Sequence, residues 1–113
     1  MHKHIRFWLL LLASLWFAAG AWAQSYYVDI TNRTGFVITH IYISPADSSN
    51  WEADVLGNKV LARDATQRVT LNGYRSPIFD IKLVDTDGDT YTYWKVDVSK
   101  RDIVARPEHL DRR

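Results

Sequence analysis

The sequence predicts an all-β protein, a single small antiparallel β-sandwich or barrel-like domain that follows a signal peptide. Short runs rich in β-branched and aromatic residues alternate apolar with polar positions, and turn signals such as Asn72-Gly73 and Asp87-Gly88 separate them. An apolar run near the amino terminus follows two basic residues. We therefore divide the chain into a signal peptide (1–23), a β domain (24–106) and a flexible tail (107–113).

The amino-terminal segment has the three parts of an export signal. Lys3 and Arg6 precede the apolar stretch FWLLLLASLWFAA at 7–19, and the small residues of Ala21-Trp22-Ala23 suit a cleavage site before Gln24. A membrane anchor would need about 20 apolar residues. We expect export to the periplasm or beyond, and no membrane association after cleavage.

Composition narrows the function classes. Without Lys3 and Arg6, 12 basic residues remain against 13 acidic ones, which gives residues 24–113 a formal charge of −1. A near-neutral domain with scattered charges has no field that would hold a nucleic acid. The chain has no cysteine, so packed apolar and aromatic side chains must stabilise it without disulfides.

The first two predicted strands are YYVDIT at 26–31 and FVITHIYIS at 36–44. The turn signal at 32–35 between them predicts a hairpin. The apolar alternation slips between Ile38 and Ile41, as a β-bulge would cause.

A long surface connection follows at 45–57, where no period is sustained. We expect Trp51, Val55 and Leu56 to fasten it to the domain, with Asp54 accepting hydrogen bonds from backbone N–H groups. A helical turn could begin at 48–50. Short strands are predicted at 60–61 and 67–71, and the loop around Asn72-Gly73 ends the second of them.

The runs IFDIKLV at 78–84 and TYTYWKVDV at 90–98 predict the clearest hairpin. A two-residue loop at Asp87-Gly88 gives one apolar face and one polar-aromatic face. We prefer it to a three-residue loop, which would set Phe79 opposite Lys95. The expected apolar pairs are Leu83 with Thr92, Ile81 with Trp94 and Phe79 with Val96; those of the other face are Val84 with Tyr91, Lys82 with Tyr93 and Asp80 with Lys95.

After Ser99, a strand is predicted at 102–105 and is ended by Pro107. The last six residues are expected to fray.

The stretch DTDGDTY at 85–91 suggests calcium, but its spacing fails the EF-hand pattern, because Gly88 precedes Asp89 and Val96 stands where a bidentate Glu is required. A different calcium site would need the carboxylates of Asp85, Asp87 and Asp89 to converge, with Asp54 as a further candidate. A charged turn is the preferred reading, and we expect no cofactor.

Catalytic patterns are missing from the sequence. Residues 24–113 hold two histidines, His40 and His109, and contain no G-x-S-x-G, H-E-x-x-H, Cys nucleophile or Gly-rich phosphate loop. We expect a protein that is not an enzyme.

Tyrosines suggest a binding face. In the preferred register Tyr91 and Tyr93 lie on the face opposite Trp94, and Tyr27 is expected to be exposed on the first strand. Exposed aromatic rows bind sugars, peptides or protein surfaces. The alternative is that these tyrosines reflect β propensity alone.

Three motifs together resemble a family of small exported bacterial proteins of unknown function. They are T-G-x-x-I-x-x-x-Y-x-S-P at 34–45, W-x-x-D-x-L-G at 51–57 and D-x-D-G at 85–88. Glu52 stands where the family tends to have Gly. Some members carry the label argininosuccinate lyase, an activity of a large helical tetramer that a short β-rich chain does not fit. The resemblance implies export and fold, and it carries over no catalytic residue.

These observations predict an exported, non-enzymatic binding or interaction module whose partner is a protein or a carbohydrate. The alternative is a structural module stabilised by calcium at the Asp85 to Asp89 turn.

Overall fold

A computed structural model describes residues 23–112 of the chain. Nearly all of the predicted signal peptide and the last residue of the tail lie outside the described residues. The described part contains six strands and one short 3-10 helix: β1 (Gln24–Asn32), β2 (Ile38–Pro45), β3 (Thr66–Tyr74), β4 (Ile78–Asp85), β5 (Thr90–Asp97), β6 (Ile103–Ala105) and the helix Pro107–His109. The strand predicted at 60–61 is a single bridge between Leu61 and Ile38.

The strands form a sandwich of two three-stranded sheets, ordered β3-β1-β6 and β2-β4-β5. The all-β prediction is therefore confirmed. One pairing departs from an antiparallel arrangement, because β6 runs parallel to the last three residues of β1, whereas the other strand pairs are antiparallel.

The predicted hairpin between the first two strands is wrong, because β1 and β2 belong to different sheets. Asn32 stabilises the crossing between them. Its buried amide donates to the carbonyl oxygens of Phe36 and Leu61, at 2.7 and 3.1 Å, and its Oδ1 accepts from the Thr34 hydroxyl at 2.7 Å. These bonds make the segment a corner between sheets, which a turn signal alone does not distinguish from a hairpin loop.

The β4–β5 hairpin closes with Asp85 opposite Asp89, so its loop consists of the three residues Thr86, Asp87 and Gly88 and not of the predicted two. Asp85 N–H donates to Asp89 O at 2.9 Å, and Gly88 N–H donates to Asp85 O at 3.0 Å. Gly88 is left-handed, with φ of +81°, as the third residue of such a loop requires. Next to the loop, Leu83 therefore pairs with Tyr91, one residue away from the predicted partner.

A β-bulge restores the predicted register farther along the same hairpin. Phe79 pairs with Val96 as expected, although Ile81 pairs with Tyr93 and not with Trp94. Lys95, at φ +52°, supplies the extra residue. Its N–H donates to Asp80 Oδ1 at 2.8 Å, so Asp80 and Lys95, which were expected to face each other, are joined by a side-chain to backbone bond. The predicted slip in β2 is also observed, between Ile38 and His40.

Phe79 lies in the core between the sheets. It is fully buried on β4 and is contacted edge-on by Tyr26 of β1 and Tyr74 of β3, at ring-centroid distances of 6.5 and 5.0 Å. Edge-to-face pairs at such distances are favourable beyond the area that they bury. Around these rings pack aliphatic side chains of both sheets, including Val28, Ile30, Ile41, Ile43, Ile81, Leu83 and Val96.

The long connection is fastened to the outer edge of β2 by Asp54 and Leu56 as predicted, whereas the side chain of Val55 is 41% exposed and does not fasten it. Asp54 Oδ1 accepts from the N–H groups of Ile41 and Leu56, at 2.8 and 3.0 Å, and Leu56 is buried. Val55 N–H adds a bond to Ile41 O at 2.8 Å. No helix forms at 48–50, where the chain turns and bends.

The tail is attached more closely than predicted. Asp111 N–H donates to Thr90 O at 2.8 Å, and the Asp111 carboxylate accepts from the hydroxyl groups of Thr90 and Thr92. Thr92 N–H also donates to Asp111 Oδ1, at 3.2 Å. This carboxylate therefore satisfies part of the free edge of β5, and expecting the last residues to fray was wrong at Asp111.

Candidate binding surface

The outer face of the β2-β4-β5 sheet carries a row of aromatic side chains, which we call the aromatic strip. It consists of His40, Tyr42, Trp51 and Trp94, with Lys82 between Tyr42 and Trp51. Three strands and the long connection contribute to it. The strip therefore exists only in the folded protein.

Successive members of the strip are in contact distance of one another. The rings of His40 and Tyr42 are stacked at 5.9 Å with an angle of 6° between their planes. Lys82 Nζ lies 5.4 Å from the Tyr42 ring centroid and 5.0 Å from that of Trp51, within the range of a cation–π interaction. The rings of Trp51 and Trp94 are 5.9 Å apart and tilted by 41°.

The three-residue loop before β5 places Trp94 on this face, because it turns Tyr91 and Tyr93 inward and the residue after each of them outward. The bulge residue Lys95 then lets Val96 point toward the core, two positions after the outward-pointing Trp94. Trp94 is 65% exposed, the largest exposed fraction among the large apolar side chains of the described part. A tryptophan left this open to water keeps most of its indole available for a ligand, which suggests recognition.

A small polar pocket of about 110 Å³ adjoins the two tryptophans. The buried Asp80 and Ser44 lie in its wall. Ser44 Oγ accepts from Glu52 N–H at 2.8 Å, which holds the connection beside Trp51. The remaining lining residues are Ser48, Ser49 and Asn50. Hydrogen-bonding groups thus stand next to an apolar platform.

The three predicted face tyrosines do not share a surface. Tyr27 is 51% exposed, but it lies on the other sheet, with the Arg68 guanidinium 4.0 Å from its ring centroid. Tyr91 is only 2% exposed, so its predicted exposure is wrong. Tyr93 packs partly against the core, and its hydroxyl is hydrogen-bonded to His109 Nδ1 at 2.9 Å. The three-residue loop is the cause, because it moves Tyr91 and Tyr93 opposite Leu83 and Ile81.

The environments of the two inward tyrosines favour their neutral forms. Burial, followed by the hydrogen bond to Asp85, raises the pKa of Tyr91 to about 12. Burial and then the negative charge of Asp111 raise the pKa of Tyr93 to about 12 as well. Both behave as structural side chains at neutral pH.

The carboxylates of Asp85 and Asp54, which were candidate calcium ligands, stabilise a turn and the long connection. Asp85 is buried, and its Oδ1 accepts from the N–H groups of Asp87 and Asp89 at 2.9 and 3.0 Å, while Asp54 caps the long connection. Among residues 23–112, no three His, Cys, Asp or Glu side chains are grouped so that they could hold a metal ion. Calcium binding, the alternative to the charged turn that we prefer, is a question for titration.

Sequence reasoning missed the aromatic strip because the two-residue loop placed Trp94 inside. The loop sequence fits either length, and nothing at Trp94-Lys95 signals the bulge that accompanies the longer loop. Trp51 had been predicted only as a clamp for the connection. One clue was available, since Trp51 and Trp94 are the two tryptophans that follow the predicted signal peptide.

Comparison with known proteins gives no relative from which to transfer a function. No family model matches the chain, and no curated protein or solved structure matches it significantly. The resemblance based on the three motifs therefore stays a prediction. Within the described residues, no helix has the length and apolar character needed to span a membrane.

Proposed function

We propose that this protein is an exported, non-enzymatic binding module that holds a carbohydrate along the aromatic strip. The observation that carries the proposal is the exposed Trp94 beside Trp51, at the end of a row of rings that continues through Lys82 to Tyr42. An extended ligand would cross the outer face of the β2-β4-β5 sheet.

Sugar rings suit this surface chemically. One face of a pyranose presents C–H groups that pack against an indole, while its edge presents hydroxyl groups that need partners. Beside the tryptophans, Asp80, Ser44 and Asn50 offer acceptors and donors. Lys82 offers a further donor between the rings.

A protein partner fits the strip less well. The centres of protein interfaces are depleted in charged residues, whereas a lysine lies in the middle of this row. The mixture of aromatic rings and polar groups favours a ligand that is itself apolar on its faces and polar at its edges.

Export and the lack of catalysis rest on the sequence. The stretch at 1–23 has the charged, apolar and small-residue parts of a secretion signal, and no nucleophile or metal motif occurs after it. Mass spectrometry of the protein secreted by a bacterial host tests the first point, because cleavage at the predicted site leaves Gln24 as the first residue.

Co-sedimentation with insoluble polysaccharides tests the binding function. The exported protein is mixed with chitin, cellulose or peptidoglycan sacculi, and the bound fraction is measured for wild type, Trp94→Ala, Trp51→Ala and Phe36→Ala. Phe36, exposed on the β1–β2 crossing, is the matched control.

We expect the wild type and Phe36→Ala to sediment equally with at least one polysaccharide. Loss of a packed indole should weaken binding by about tenfold or more. Equal sedimentation of Trp94→Ala and wild type, or no sedimentation with any of the polysaccharides, would count against the proposal.

A further inference from the structure

A groove runs beside the amino-terminal half of β1, at a sheet position that β6 leaves open. β1 has nine residues, but β6 pairs only with Ile30, Thr31 and Asn32. The groove has a volume of about 400 Å³. Its lining residues are Ser25, Tyr26 and Tyr27 of β1 and Val98, Ser99, Lys100, Arg101 and Asp102 of the segment that leads to β6.

The backbone of β1 turns its hydrogen-bonding groups toward this groove at alternate residues. Asp29 N–H donates into it, to Asp102 Oδ1 at 3.0 Å, and Arg33 N–H donates to Ala105 O of β6 at 2.7 Å. In an extended strand the N–H and C=O groups of every second residue point the same way. The backbone groups of Ser25 and Tyr27 therefore point into the groove, where no strand pairs with them in the described part.

The Asp102 carboxylate occupies the place that a strand carbonyl would take. It accepts a hydrogen bond from the Asp29 N–H and lies at the end of the unpaired stretch of β1. The edges of the other sheet are covered, since the long connection bonds to β2 and Asp111 bonds to β5. An uncovered edge of a central strand is a ready template for another extended segment.

The side chains that line the groove favour a ligand with both apolar and acidic groups. Tyr26 and the buried Val98 form an apolar floor, whereas Lys100 and Arg101 are exposed at its wall. Neither cation takes part in an ion pair within residues 23–112. A strand lying here would point alternate side chains at the floor and the others toward the solvent and the cations.

We propose that the groove beside Ser25 and Tyr27 binds an extended acidic peptide segment of a partner protein, which adds a strand to the β3-β1-β6 sheet. Main-chain bonds to β1 supply the affinity, and Lys100 and Arg101 select acidic side chains. This site lies on the opposite sheet from the aromatic strip, and it is independent of carbohydrate binding.

The test uses a fluorescent heptapeptide of alternating valine and glutamate and its counterpart with lysine in place of glutamate. Binding to the exported protein is followed by anisotropy, and amide NMR locates it. We expect the acidic peptide to bind about tenfold or more tightly than the basic one, with the largest shifts at Ser25 and Tyr27. The double variant Lys100→Glu, Arg101→Glu should reverse the preference.

A proline tests the main-chain bonds. Ser25→Pro removes an N–H that points into the groove and should weaken binding of the acidic peptide by about tenfold. Thr70→Pro is the matched control, because Thr70 pairs with Tyr27 on the other side of β1 and its own N–H faces the outer edge of β3. It should bind the peptide like wild type.

A peptide with N-methyl groups at alternate residues gives the same test without changing the protein. It cannot donate to the β1 carbonyl groups, and we expect its binding to be lost. Equal binding of the methylated and unmethylated peptides, or no binding of either charged peptide, would overturn the proposal. So would a dimer in sedimentation velocity that Ser25→Pro dissociates, because a second copy would then occupy the edge. In each case polysaccharide sedimentation is unaffected.

Discussion

The hydroxyl group of Tyr91 donates a hydrogen bond to Asp85 Oδ2 at 2.9 Å. The other oxygen of this carboxylate caps the loop through the N–H groups of Asp87 and Asp89. Both side chains are 2% exposed. One buried carboxylate thus connects the β4–β5 loop to the core, through hydrogen bonds that backbone and side-chain groups of the protein donate.

Replacing Tyr91 by Phe should destabilise the protein by about 1–3 kcal/mol, because a buried charged acceptor loses its donor. The free energy of unfolding in urea measures the effect. Tyr27→Phe is the control, since Tyr27 is half-exposed, and its change should stay within about 0.5 kcal/mol. Equal stability of Tyr91→Phe and wild type would mean that this bond contributes nothing.

Stability should fall at alkaline pH. The pKa values of Tyr91 and Tyr93 are raised to about 12 in the folded protein, so the unfolded chain loses these protons at lower pH than the native state. The stabilising contribution is complete below the unfolded pKa, near 10, and is lost as the pH rises toward about 12. Unfolding free energies measured across this range should decline, and the decline should be smaller in Tyr91→Phe. A constant free energy would contradict the raised pKa values.

The loop length can be tested by substitution. Gly88 is left-handed with open space around its Cα, so Gly88→Ala should cost about 1–2 kcal/mol through backbone strain alone. Asp87 does not have a positive φ, and Asp87→Ala should change stability by only about 0.5 kcal/mol. A two-residue loop of type I′, the type that Asp-Gly favours, would need positive φ at both positions. Equal losses at Asp87 and Gly88 would therefore favour that loop.

The sequence predicts the positions of the strands in this protein better than it predicts how the strands pair. Alternation in the run from Ile78 and in the run from Thr90 locates β4 and β5 within one or two residues. It does not report the three-residue loop, which decides whether Tyr91 or Trp94 is buried, or the bulge at Lys95, which returns Val96 to the core. A shift of one residue exchanges the two faces of a strand, so a small error in the loop moved the candidate binding face.

Contacts between residues far apart in the chain also could not be predicted from local sequence patterns. The cross-sheet corner depends on the bond between Asn32 and Leu61, and the tail is held by Asp111 beside Thr92. Such partners are set by the assembled sandwich. Asp54 was predictable because its partner Leu56 lies two residues away.

Calcium should not stabilise the protein. The Asp85 carboxylate already accepts three hydrogen bonds from its own turn and from Tyr91, and an ion would have to displace them. Thermal unfolding with and without millimolar calcium measures this. A ligand of the native state raises stability by about 2.7 kcal/mol at a hundred times its dissociation constant. A rise that Asp87→Ala abolishes would establish the calcium-stabilised alternative.

Tryptophan emission tests the central claim most directly, because Trp51 and Trp94 are the two tryptophans after the predicted cleavage site and both belong to the aromatic strip. The exported protein is titrated with soluble oligosaccharides of the polysaccharide that it sediments with. We predict a saturable blue shift, since a sugar stacked on Trp94 removes water from its indole, and a smaller response in Trp94→Ala. Saturating oligosaccharide with unchanged emission would show that the carbohydrate binds elsewhere, and would contradict the assignment of the aromatic strip.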